Sequence, residues 1–346
     1  MRAYIISWNG ESAVGGLERV VKYQREILED YFETRLVTLD DLYSYKKYSK
    51  YKRFRENPVI NAILMSLYIN RISDIDDIII AHGYNAPFVK ADYLFVHGNW
   101  WGYENAIGIS LFDKRRIMAL LEFFAGKNAR KLVAVSHNAQ IQWREFYHLF
   151  NKEIYIVNNC VNTKWFYPEP KKEKKGLNII FCGRLTHGKG LERLLELANY
   201  IEGKPKYELT IATQSRMNIE MFQGLKNTKV KIGLQFEELR DFYNEGSVMY
   251  FPSLYEGFEM VTTESLACGV PVLGNAIGAL KELNEKNFPG IEIDCGKEMK
   301  ETIKQLERLS IEFSSKTSRE FLAGRVESEF GIDKYKNKLR EIFDLL

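Results

Sequence analysis

The stretch Ser253-Leu254-Tyr255-Glu256-Gly257-Phe258-Glu259-Met260-Val261-Thr262-Thr263-Glu264 decides the reading of this chain. Ahead of it, residues 248–252 are an apolar run of strand type. Behind it, residues 261–267 read as a helix that ends at Cys268-Gly269, and Val270-Pro271-Val272-Leu273 reads as a second strand. Strand, loop, helix, strand is the repeating unit of a parallel sheet. In such sheets ligands gather at the carboxyl ends of the strands, beside helix N-termini. Glu256 falls in the loop and Glu264 early in the helix, so both are placed to face one ligand. An ionised carboxylate only accepts hydrogen bonds, which suits a ligand rich in hydroxyls, such as a sugar or a ribose. The N–H groups of Gly257 to Met260 add donors at the same place, and Gly257 lets a ligand approach the backbone. The same residues also read as an ordinary loop glutamate and a helix N-terminal glutamate favoured by the dipole.

A second stretch lies upstream: Phe181-Cys182-Gly183-Arg184-Leu185-Thr186-His187-Gly188-Lys189-Gly190, between a strand at 177–182 and a helix at 191–201. Arg184 and Lys189 flank Gly188 at a helix start. Cations, backbone N–H groups and a helix N-terminus together are what a pyrophosphate needs. A solvated basic loop is the other reading of those residues. Taken as a pair, the two stretches resemble the retaining GT-B glycosyltransferases of family 4. The signature of that family joins a G-R-L…K-G loop to a Glu, seven residues and a second Glu. The resemblance implies an α/β fold of the GT-B type, with two Rossmann-like domains facing across a cleft and a C-terminal helix crossing back to the first domain. Residues 1–160 would form the acceptor-side domain, with 331–346 packing back on it. Residues 161–176, polar and proline-bearing toward their end, would be the linker, and 177–330 the nucleotide-sugar domain.

Composition agrees with two domains of ordinary size. The chain has 346 residues, 45% apolar and 27% charged, with a net charge of +3. That length supplies two cores, and that charge excludes a polyanion binder by bulk composition. Cys160, Cys182, Cys268 and Cys295 are far apart and read as reduced thiols of a cytoplasmic protein, neither a disulfide frame nor a zinc site. The N-terminal apolar run is too short for a signal peptide, and no segment has the length of a membrane span.

The first half opens on a strand, a loop carrying Gly15-Gly16, and an amphipathic helix at 17–28. Gly15-Gly16 reads as a structural turn; the resemblance makes it the glycine pair at the donor and acceptor cleft, with Gly16 near the donor. Residues 43–55 carry lysines, arginines and aromatics and no acid. The run from Lys46 to Arg55 reads as a solvated surface with snorkelling lysines, as a face for anionic lipid with aromatics at headgroup level, or as a stacking platform for single-stranded nucleic acid. The resemblance favours lipid over nucleic acid. Asp74-Ile75-Asp76 precedes its strand and reads as a turn rather than a metal motif. His82 and His97 each follow a strand; alone they read as hydrogen-bonded structural residues. The resemblance makes His97 a contact to the donor sugar and matches His82 to a less constant position. Trp100 and Trp101 either stack on a ligand or pack. A helix is expected at 111–124, and Ser136 caps the next. Residues 158–168 are similar to the family's connection between domains, with Cys160 in place of a glycine and Asn162 in place of an aspartate. Thr213-Gln214-Ser215 lacks the G-x-G that many relatives carry there.

The activity so implied is retaining transfer of a hexosyl unit from a UDP- or GDP-sugar to a glycan or lipid-linked acceptor. Arg184 and Lys189 would neutralise the diphosphate, removing the need for a metal or other cofactor. Glu256 and the N–H groups of Gly257, Phe258, Glu259, Met260 and Val261, with Gly183 nearby, would hold the donor. Glu264 would bind the ribose. Glu259 stands where many relatives have glycine, either altering sugar selection or pointing away. The competing class is a catalytically inactive partner or scaffold subunit with the same fold. The expected location is cytoplasmic, peripheral to the inner face of the membrane.

Overall fold

A computed structural model describes residues 2–9, 16–110, 113, 116–148, 151–170, 176–294, 296 and 298–345. The chain forms two compact units, one of Met1–Asn159 with Tyr335–Leu346 and one of Cys160–Lys334.

The first unit runs β1 (Arg2–Ile6), α1 (Gly16–Leu28), β2 (Glu33–Val37), α2 (Leu39–Ser44), α3 (Pro58–Ile72), β3 (Ile78–His82), β4 (Tyr93–Val96), α4 (Trp100–Ala106), α5 (Ile117–Asn128), β5 (Lys131–Ala134), α6 (His137–Tyr147) and β6 (Ile154–Ile156). Its six strands are all parallel, in the order β2-β1-β3-β4-β5-β6. Parallel strands are covered on both faces, which is why β4 is apolar and buried at every residue. Helix starts follow local signals. Asn57 accepts from Val59 N and Ile60 N ahead of Pro58, and Ser136 accepts from Ala139 N at 3.0 Å.

The second unit runs β7 (Leu177–Cys182), α7 (Leu191–Ile201), β8 (Tyr207–Thr213), β9 (Thr228–Ile232), α8 (Phe236–Glu245), β10 (Val248–Phe251), α9 (Met260–Ala267), β11 (Val272–Gly274), α10 (Gly278–Glu285), β12 (Ile291–Ile293), α11 (Met299–Glu312) and α12 (Lys316–Phe330). Its sheet is also parallel, in the order β12-β11-β10-β7-β8-β9. The chain moves outward from β7 through β9 and then returns to the other side of β7 as β10. The loops after β7 and β10 therefore leave neighbouring strands in opposite directions, the place where open α/β sheets hold ligands.

The last helix, α13 (Ile332–Ile342), buries Tyr335, Leu339 and Ile342, one stripe at spacings of four and three. Tyr93 donates its hydroxyl to the Ile342 carbonyl at 3.1 Å, and Gln24 donates to the Tyr335 hydroxyl at 3.2 Å. The C-terminal segment is thus part of the first unit.

Several local readings change. The helix expected at 111–124 starts at Ile117, because Arg116 ties the carbonyls of Ile109 and Ser110 outside any helix. Residues 111, 112, 114 and 115 of that expected helix lie outside the described residues, as do Gly15, residues 171–175 of the expected linker and Cys295. The turn at Asn162 forms despite the two replacements: its carbonyl accepts from Trp165 N and Phe166 N. Asp74–Asp77 is a turn, closed by Asp77 N to Asp74 O at 3.2 Å. Aromatics at a headgroup level are corrected for part of the basic run. Tyr43 and Tyr48 face inward, Tyr43 donating to Asn61 Oδ1 at 2.6 Å and Tyr48 packing on Tyr45 and Tyr68. Lys46, Lys47, Lys50, Lys52 and Arg53 stay exposed.

Candidate functional site

Three loops of the second unit meet at the carboxyl ends of β7, β10 and β11. The loop after β7 is locked to the loop after β10 by Leu254 N donating to Gly188 O at 3.0 Å. Gly190 caps α7 at φ +79, and a Cβ there would sit 2.1 Å from the Pro252 carbonyl oxygen, so only glycine permits this approach. The third loop joins through Asn275, whose Nδ2 donates to the carbonyls of Pro252 at 3.1 Å and Ser253 at 2.9 Å.

On this frame Arg184 is exposed, and its guanidinium has no hydrogen-bond or ion-pair partner among the described residues. Lys189 is largely covered and forms an ion pair with Glu256. Gly183 sits just past β7. The helix α9 begins at Met260, so the N–H groups of Met260 and Val261 open its first turn. Phe258 turns its ring inward against Phe330, leaving its backbone as its contribution to the loop.

Glu259 is buried in the loop. It is the N-cap residue of α9 and is 3% exposed. Its Oε1 is buried without a hydrogen-bond partner among the described residues and occupies the space a side chain at Gly278 would take. Burial, reinforced by the charge of Glu256, pushes its carboxyl up to about 8, against the pull of the backbone N–H groups of Glu259 and Ala279 and the charge of Lys189. A carboxyl at that point is largely protonated at neutral pH and can donate as well as accept.

Glu264 is in the interior, 0% exposed, and accepts from the Tyr243 hydroxyl at 2.8 Å. The structure thus groups Arg184, Lys189, Glu256, Glu259 and the α9 N-terminus, and sets Glu264 one helical turn deeper. Behind it the buried Arg319 donates to the carbonyls of Cys268, Gly269 and Glu169 and to Asn244 Oδ1. Arg319 and Asn275 carry no motif signal of their own; their partners are distant in sequence.

In the first unit, His82 at the end of β3 and His97 just past β4 are hydrogen-bonded to each other at 2.9 Å. Gly16 opens α1. Trp100 and Trp101 pack: Trp100 against Tyr84 and Tyr103, Trp101 under the Arg116 guanidinium at 4.6 Å. No group of three or more metal-ligating side chains is present among the described residues.

Residues 163–320 match the family of glycosyl transferases group 1. That match takes in most of the second unit. An uncharacterised glycosyltransferase of Methanocaldococcus jannaschii is 24% identical over 197 residues, 52% of this chain and 50% of that protein. The chain spans about half, or less, of the length of such curated relatives. Among solved structures, the sucrose-phosphate synthase of Thermosynechococcus elongatus superposes with a TM-score of 0.74 at 14% identity, covering 99% of this chain and 98% of that one. Anabaena HepE in complex with UDP-glucose superposes with a TM-score of 0.68 at 14% identity, covering all of both chains. The two superpositions show that the chain shares its fold with these structures along its whole length. No described helix is long and apolar enough to cross a membrane.

Proposed function

We propose that this protein is a retaining glycosyltransferase that moves a hexosyl unit from a nucleotide-diphospho-sugar to a glycan or lipid-linked acceptor without a metal ion. The observation that carries the reading is the convergence, at the switch point of one sheet, of Arg184, Lys189 and the N-terminus of α9. As the glycosidic bond breaks, negative charge builds on the leaving diphosphate. Fixed cations and N–H groups there bind the transition state more tightly than the ground state, which lowers the barrier. In this reading Lys189 exchanges its partner Glu256 for phosphate when the donor enters, and the released Glu256 turns to sugar hydroxyls. Glu264 holds the ribose. The leaving phosphate takes the acceptor proton, so no protein nucleophile is called on. That a glycosyltransferase-fold neighbour is solved with UDP-glucose supports a nucleotide-sugar donor.

The acceptor is assigned to the first unit, and a lipid-linked one fits its exposed cations. Lys47 and Lys50 line a shallow surface hollow together with the exposed Leu67 of α3. Cations around a small apolar face suit an anionic bilayer, which would place the protein peripherally on such a surface.

The test is thermal stabilisation by UDP, GDP, ADP and their common sugar conjugates in EDTA. A shift with one nucleotide, in its diphosphate and sugar forms, is expected. No shift with any of them, in folded protein, rejects the donor site and leaves the inactive scaffold. Binding restored only by Mn²⁺ rejects the metal-free mechanism.

A further inference from the structure

His97 ends a buried hydrogen-bonded chain that joins four separate segments of the first unit. His97 Nε2 lies 2.9 Å from His82 Nδ1, His82 Nε2 lies 3.0 Å from Gln24 Oε1, and Gln24 Nε2 donates to the Tyr335 hydroxyl at 3.2 Å. The two imidazoles are nearly coplanar, 20° apart, as an in-plane N–H···N bond requires. His82 is further clamped against the Phe95 ring, 5.3 Å between centroids. His82 and Gln24 are 1% and 0% exposed. His97 is half-buried, and its Nδ1 has no hydrogen-bond partner among the described residues.

The roles in this chain follow from its far end. Gln24 gives its amide N–H to Tyr335, so its carbonyl oxygen faces His82. A carbonyl only accepts, so His82 carries its proton on Nε2. Neutral His82 then offers a lone pair at Nδ1, and His97 must donate to it from Nε2. Neutral His97 is left with an unprotonated Nδ1. The geometry points to Gln24, His82 and Tyr335 as positioning residues that fix His97 in the Nε2–H tautomer, so that Nδ1 accepts a hydrogen bond from a hydroxyl of the donor sugar. This rests on the reading of His97 as a sugar contact and adds what orients it. Burial supports the neutral state of both rings: it drives His97 down to about 4 and, with the neighbouring His97, holds His82 well below the ordinary histidine value. An acceptor-only nitrogen selects a hydroxyl over another acceptor, a discrimination a freely flipping imidazole lacks.

The chain also gives the C-terminal helix a task. Tyr335 on α13 supplies the acceptor that orients Gln24, although it is 311 residues away in sequence.

The test has two readouts. Long-range ¹H–¹⁵N spectra of the ¹⁵N-histidine-labelled protein report which ring nitrogen of His97 is protonated. The expected spectrum is a neutral ring with bare Nδ1; a protonated Nδ1, as the other tautomer or as imidazolium, overturns the proposal without any variant. Gln24→Leu is expected to give a mixture of His97 tautomers, and Tyr335→Phe to shift them the same way by less. An unchanged tautomer in folded Gln24→Leu protein also overturns it. The second readout is affinity for UDP-glucose, UDP-N-acetylglucosamine and GDP-mannose, each against its own nucleoside diphosphate. Gln24→Leu should weaken the sugar conjugate that wild type binds by about tenfold and leave the diphosphate unchanged, as one hydrogen bond lost at the sugar requires. If His97→Ala binds that conjugate as wild type does, the sugar contact itself fails, whatever the spectra show.

Discussion

Replacing Glu259 with glutamine keeps the shape of a buried side chain and removes its ability to ionise. The carboxyl titrates near 8 in the folded protein against an ordinary 4.5. Each pH unit of that difference is about 1.4 kcal/mol, so the folded state binds this proton more tightly by ~5 kcal/mol at most. The sign follows from proton counting. Between pH 4.5 and 8 the unfolded chain has lost the proton and the folded chain keeps it, so stability falls as pH rises through this window. Below 4.5 the stabilisation is complete, and above 8 it is gone. Relaxation around the new charge, including the Lys189–Glu256 pair, reduces the figure; even ~2 kcal/mol would change the folding equilibrium roughly thirtyfold. The assay is urea denaturation of wild type and Glu259→Gln at pH 5, 6, 7 and 8, with hydrogen exchange assigning the transition of the second unit. The curves should lie close at pH 5 and diverge up to pH 8, with the variant the more stable. Glu122, pushed up to about 8 by burial in the first unit, is common to both proteins and cancels. Parallel pH profiles would refute the buried, proton-holding carboxyl.

Gly278 has φ +49, and an added Cβ would lie 1.9 Å from Glu259 Oε1. Gly278→Ala should therefore cost about 1–2 kcal/mol from the backbone alone and more from displaced Glu259. Combining it with Glu259→Gly should recover the second part, and strictly additive costs in a denaturation cycle would reject the contact. Arg184→Ala and Lys189→Ala should each lower turnover about 100-fold or more while the fold survives; near-normal turnover in either refutes its phosphate role. Arg319→Met leaves three carbonyls and Asn244 without their shared donor. It should cost about 3 kcal/mol or more, and an unchanged denaturation midpoint for the second unit would count against a structural role.

The local grammar of this fold was readable from the residues. Apolar strands followed by glycine-bearing loops and helix starts are short-range patterns, and they located the loops at 183–190 and 253–259 without any contact map. They also named Arg184, Lys189 and Glu256, because motif spacing within a single loop survives folding unchanged. Side-chain direction was a different matter. Tyr43 and Tyr48 read as surface aromatics, yet Asn61 and Tyr68 on α3 supply an interior for them. Glu259 read as open in choice, and only the glycine at 278 shows where its carboxyl fits. Glu264 kept its place in the helix, but Tyr243 on α8 decides which way it faces.

The sequence by itself determined two parallel α/β sheets and the chemistry carried on their loops, since strand period, turn residues and helix caps act over a few positions. Only the tertiary structure decided which loops became neighbours. The return of β10 to the side of β7 joins Gly188 to Leu254, and four segments as distant as Gln24 and Tyr335 share one hydrogen-bonded chain. Those pairings are set by burial across the whole core, where a polar group must find a partner wherever the packing puts one.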